Sequence, residues 1–74
     1  MSSGLTSYSE LADVLDRLPM LCREKRRREG LSLREAAKQM GVAFSVVTRF
    51  ENGTGVHLDS AKAVLHWLDG KKAS

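Results

Sequence analysis

The chemistry this chain can offer lies in its cations. Arg23-Glu-Lys-Arg-Arg-Arg28 is its densest run of charge, and Arg34, Lys38 and Arg49 follow. Such a run is usually a solvated helix face, but its surroundings give it direction. The net charge is +3, yet residues 1–22 carry −2, residues 23–53 carry +4 and the remainder +1. An acidic start and a basic centre point to a polyanion met by the middle of the chain. Groups that could break or make bonds are scattered. His57 and His66 lie far apart, and neither has a companion nucleophile or carboxylate cluster. The single cysteine, Cys22, falls on an apolar stripe and is expected in the core. It cannot form an internal disulfide, no Cys/His spacing resembles a zinc site, and no glycine loop suits a phosphate. We therefore expect no enzyme, no metal and no cofactor.

The elements that must position these cations are short helices. Seventy-four residues make one small domain with a single proline and several Leu/Ala/Glu/Lys/Arg segments, which favours an all-α fold. No stretch is long enough to span a bilayer. The start lacks the charged-then-apolar build of a signal peptide, so a cytoplasmic protein is expected. Residues 1–7 read as a disordered N-terminus, 8–70 as one domain and 71–74 as a loose basic tail.

A first helix can begin with Ser7 or Ser9 as its N-cap, with Tyr8, Leu11, Ala12, Leu15 and Leu18 at helical intervals. Pro19 disfavours helix at Leu18 and suits the first position of a new helix. A break near Leu18 is expected, with a second helix over Pro19–Glu29; a kinked continuous helix is the alternative. The N-terminal helix reads as a lid over the core or, more sharply, as a dimer or partner surface.

From Gly30 to Gly53 the chain reads GLSLREAAKQMGVAFSVVTRFENG. Ser32 and Glu35 form an S-x-x-E capping box, and Leu33, Ala36, Ala37 and Met40 share one face of the helix that follows. Gly41 stands where that helix must stop. Val42 and Ala43 bridge to a second helix, Phe44 to Asn52, whose inward side is Val47 and Phe50. Two helices joined by a tight glycine turn, over residues 32–52, describe a helix-turn-helix.

The ordered set G-L-S-x-x-E-A-A-x-x-x-G-V-x-x-S-x-V-x-R-x-E-N-G resembles the Cro/repressor type of DNA-binding domain found in phage repressors and many bacterial regulators. The resemblance is gap-free from Arg26 to Gly53 and resumes near Leu58, covering about two thirds of the chain. It implies a compact, lambda-repressor-like bundle of about five short helices that binds double-stranded DNA. The second motif helix would enter the major groove and the first would lie across the backbone. With Val47 and Phe50 inward, Phe44, Ser45, Thr48 and Arg49 are left as base-contacting candidates. Arg49 is the best reader, because a guanidinium can donate twice to the O6/N7 edge of guanine. The resemblance also assigns phosphate contacts to Ser32, Arg34, Asn52 and Thr54, and pairs Arg26 with Glu51 as a structural fork. Beside such a motif Arg23, Arg27 and Lys25 become phosphate candidates, and Arg34 and Lys38, four apart on one face, can track the backbone.

Three positions depart from the family pattern. Leu33 and Phe44 stand where polar residues, often Gln, are usual, and Val46 replaces Ser or Thr. Phe44 can pack on a thymine methyl, fold back onto the core or fill a protein contact. An apolar reading surface leaves a second function open: a protein-interaction module such as an antitoxin or regulatory subunit, supported by Phe44, Val46 and Trp67.

After the loop Thr54–His57, a helix from Leu58 to Leu68 or Asp69 is expected, with Leu58, Ala61, Leu65 and Leu68 inward and Val64 beside them. Trp67 lies off that stripe, either capping the core against the N-terminal helix or exposed at a dimer contact. The resemblance implies a transcriptional regulator, most often a repressor. Such domains commonly dimerise, here weakly or only on DNA.

Overall fold

A computed structural model describes residues 7–54 and 56–71. The described residues form four helices and no strands: α1 (Tyr8–Arg28), α2 (Leu33–Met40), α3 (Phe44–Glu51) and α4 (Leu58–Leu68). The all-α expectation holds, with four helices rather than about five. The difference lies at Pro19, which sits inside α1 instead of opening a new helix. Proline removes the hydrogen bond that would have gone back to the Leu15 carbonyl. Leu15 is exposed, so water can serve that carbonyl. On the other side of the proline, Leu18 and Cys22 are fully buried and hold α1 against the body.

Ser7, one of the two N-caps expected for the first helix although also counted with a disordered start, is the N-cap of α1. Its Oγ accepts from Glu10 N–H at 3.1 Å, and its own N–H donates to Glu10 Oε1 at 3.0 Å. The rest of that start, residues 1–6, lies outside the described residues, as do 72–74. Of the basic tail, the Lys71 N–H donates to the His66 carbonyl at 3.0 Å, closing α4.

Ser32 and Glu35 form the expected reciprocal capping box at 3.0 and 2.8 Å. Hydrogen bonding from the Ser32 backbone and hydroxyl holds the Glu35 carboxyl below its ordinary pKa. Gly41 ends α2 at φ 75°, a left-handed conformation that costs other residues a Cβ clash. There the Gly41 and Val42 N–H groups donate to the Ala37 carbonyl at 2.9 and 3.0 Å, so the chain reverses within one turn into α3.

The core is built from Leu18 and Cys22 of α1, Ala36, Ala37 and Met40 of α2, Val47 and Phe50 of α3, and Ala61, Val64 and Trp67 of α4. Two expected stripes are corrected. On α4 the buried positions are Ser60, Ala61, Val64 and Trp67, with Leu68 partly covered; Leu58 is 76 % exposed and Leu65 also faces outward. Trp67 is the largest buried side chain, and turning α4 to bury it rotates Leu58 and Leu65 away. On α1 the expected lid is absent: Leu18 is buried, but Tyr8, Leu11 and Leu15 are 87 %, 43 % and 47 % exposed. α1 joins the core only from Leu18 onward; Tyr8, Leu11 and Leu15 are not among the residues of the core cluster or packed against it.

Trp67 takes the core-capping position. Its indole Nε1 donates to Gln39 Oε1 at 2.9 Å, and Lys25 Nζ lies 4.6 Å from its ring centroid while donating to its carbonyl. Lys25, a phosphate candidate by sequence, thus faces α4. It is buried, fixed to the C-terminal end of α4, with Glu29 at 3.9 Å.

Candidate nucleic-acid interface

Helix α3 is held from behind by one carboxylate. Glu51, the last residue of α3, is buried, and Arg26 of α1 grips it through Nε at 2.8 Å and a second guanidinium nitrogen at 2.9 Å. A planar guanidinium matches a carboxylate in this fork geometry, which fixes angle as well as distance. Arg26 also donates to the Leu31 carbonyl at 3.2 Å, tying the α1–α2 connection into the same joint. The hydrogen bond to Glu51, ahead of a smaller opposing effect of burial, raises Arg26 above its ordinary pKa. The expected structural pair is present.

Arg23 is drawn into this joint as well. Its Nε stands 3.6 Å from Glu51 Oε1 and it donates to the Glu51 carbonyl at 3.4 Å, while half of its side chain stays in solvent. Arg27 is exposed. With Arg26, Leu33, Thr48, Glu51 and Asn52 these two residues line an open cleft of about 500 Å³ between α1, α2 and α3. Three arginines against one carboxylate leave the cleft positive. Behind Glu51, in the core, lies Cys22, with Sγ 3.9 Å from Glu51 Oε2. Burial first, then the Glu51 charge, push its thiol up to about 12.

On α3, Ser45 and Arg49 are exposed, Phe44 is 38 % exposed and Thr48 is half-buried, so these four residues share the face opposite Val47 and Phe50. Thr48 Oγ1 donates to the Phe44 carbonyl at 3.2 Å, which leaves its methyl and oxygen lone pairs for a partner. No side chain caps α3, because Ala43 holds the N-cap position. Ser32 Oγ accepts from the Glu35 N–H, and its hydroxyl also bonds to the Glu35 carboxyl. Thr54 Oγ1 donates to the Arg49 carbonyl at 3.3 Å, bracing the turn after Asn52. Lys38 is exposed on α2.

Phe44 does not fold back onto the core. The Arg34 guanidinium carbon lies 4.5 Å from its ring centroid, so a cation from the start of α2 stacks on the aromatic at the start of α3. This contact escapes a reading of the sequence, since the two residues are ten apart on separate helices and only the tight Gly41 turn brings them together. Val46 is half-buried and turns towards Val42, His57, Asp59 and Ser60, where it lines a groove of about 350 Å³ beside the start of α4.

A short helix with an outward polar face, mounted on a second helix through a tight turn and flanked by a basic cleft, defines a helix-turn-helix domain of the DNA-binding kind. A family model described as helix-turn-helix matches residues 23–66, more than half of the chain, and the chain belongs to this family, in its Cro/repressor-like form. No curated protein and no solved structure gives a significant match. Among the described residues no helix is long and apolar enough to cross a membrane, and no group of three His, Cys, Asp or Glu residues could hold a metal ion.

Proposed function

We propose that this protein is a sequence-specific, double-stranded-DNA-binding transcriptional regulator of phage or bacterial type. It acts as a repressor in the cytoplasm by occupying a site that polymerase needs, without enzymatic activity, cofactor or metal. One observation carries the reading: the face of α3 bearing Phe44, Ser45, Thr48 and Arg49 stands outward beside a cleft lined by Arg23, Arg27 and Asn52. In this role Arg49 reads a guanine edge, Phe44 packs on a thymine methyl, and Ser45 and Thr48 supply shorter contacts. Arg23, Arg27, Ser32, Arg34, Lys38, Asn52 and Thr54 bind phosphates and set the register. Two half-sites read by a homodimer would give such a small contact its selectivity.

A docking role for the same fold has less support. Trp67 is buried and Val46 faces a groove beside α4, which leaves Phe44 alone of the three apolar residues that favoured it. The test is selection from a random-sequence duplex pool, followed by titration of the enriched site with the parent chain and with Arg49→Ala. The variant should lose discrimination at one base pair by about 1–3 kcal/mol and bind bulk DNA nearly as before. A pool that yields no motif, or a variant that discriminates like the parent, would overturn the reading.

A further inference from the structure

The first residue of α3 is a phenylalanine with no place in the core. Phe44 is 38 % exposed and lies outside both the core cluster and the residues packed on it. One face of its ring is nonetheless taken, by the Arg34 guanidinium at 4.5 Å from the centroid. Among the described residues Arg34 enters none of the ion pairs, which gather at Glu51 and Glu29. Stacking uses the flat face of a guanidinium and leaves its N–H groups, which lie in the plane, open at the rim. The stack also restrains the ring before any ligand arrives, so less side-chain freedom is lost on docking. One turn along the same face stands Thr48, whose Oγ1 is turned back to donate to the Phe44 carbonyl at 3.2 Å. Together the two residues offer a ring and a methyl group, and neither side chain presents a free donor.

We propose that Arg34 and Phe44 act as one unit that reads the 5-methyl group of a pyrimidine, so that binding responds to pyrimidine methylation at one position of the site. The inference rests on the reading of α3 as the major-groove helix, and names what its first residue recognises there. An apolar ring cannot bond to the donors and acceptors by which most bases differ, but the C5 methyl of thymine stands in the same groove. 5-Methylcytosine carries that methyl on the same carbon, and a phenyl ring has no polar atom with which to tell the two apart. Cytosine and uracil lack it. Arg34 is the positioning residue: its in-plane N–H groups bind the phosphate beside the base while its face holds the ring against the methyl.

The test takes the full chain and the site enriched from the random duplex pool, with each thymine replaced singly by deoxyuridine. At one thymine the replacement should weaken binding about three- to fivefold, the scale set by burial of one methyl group. Changing that pair to C·G should weaken binding further, and 5-methylcytosine in place of the cytosine should recover about the same factor. Phe44→Ala should abolish both methyl effects. Arg34→Lys keeps the charge but not the flat face, so it should keep the salt dependence and cut both effects to below about twofold. Both side chains are exposed, so the helical circular dichroism of the variants should match that of the parent. A stack serving stability alone would change affinity equally for thymine and uracil. Equal affinity for the two at every position, no gain from 5-methylcytosine, or parental methyl effects in Arg34→Lys would overturn the proposal and leave the DNA reading intact. A pool without an enriched site would instead remove the functional assignment, and this inference with it.

Discussion

Glu51 is the residue on which the interface turns. Its carboxylate joins Arg26 and Arg23 of α1 to the end of α3, and Cys22 packs against it. Removing one partner of a largely buried pair leaves the other charge uncompensated, so Glu51→Gln should cost about 2–4 kcal/mol in chemical denaturation. A change under 1 kcal/mol would mean that water, rather than Glu51, satisfies Arg26. Cys22 adds a pH dependence whose sign follows from its raised pKa. The unfolded thiol ionises near 9 and the folded one near 12, so the unfolded chain binds fewer protons between these values. The contribution of Cys22 is thus fully present below pH 9 and lost as pH rises towards 12. The melting temperature of the parent should fall more steeply over that window than that of Cys22→Ser. Parallel slopes would contradict this account. The pairing of Arg26 with Glu51 was legible through the resemblance to Cro/repressor domains, whose pattern joins these two positions. The stacking of Arg34 on Phe44 was not, since it depends on how tightly the turn at Gly41 closes.

At the scale of elements, α1 is two things in one helix. Leu18→Ala should cost about 2–5 kcal/mol by opening a cavity in the core, whereas Leu15→Ala, one turn earlier, should change monomer stability by no more than about 0.5 kcal/mol. Thermal melts of dilute samples compare the two. Equal losses would mean that the first half of α1 rests on the body after all. Periodicity placed α2, α3 and α4 and the inward residues of α2 and α3, because capping boxes and the left-handed glycine act locally. It failed where tertiary packing decides. A spacing of three and four shows that a stripe is apolar, not that anything covers it, and so Tyr8, Leu11 and Leu15 read like core. On α4 the leucines outnumber their neighbours, but the volume of Trp67 determined which side turned inward. At Pro19 local preference argued for a break, and the burial of Leu18 and Cys22 outweighed it.

At the scale of the whole molecule, charge and shape divide together. Three of the four acidic residues of α1, Glu10, Asp13 and Asp16, lie in its first half, while Arg23 and Arg27 fall in its second half and Arg34 and Lys38 on α2. If these four cations meet phosphates, the logarithm of the DNA affinity should fall with the logarithm of salt concentration with a slope of about −3 to −4 per bound chain. Arg27→Ala should flatten that slope by about one, equally on specific and bulk DNA. An unchanged slope would place Arg27 outside the contact. Trp67 belongs to this scale too. It is the single tryptophan, sealed beneath Lys25 and hydrogen-bonded to Gln39, so it touches α1 and α2 but not the outward face of α3. Its fluorescence is accordingly a gauge of the body alone: ligands arriving at the reading helix leave that light undisturbed, and any flicker in it means that the scaffold itself has moved.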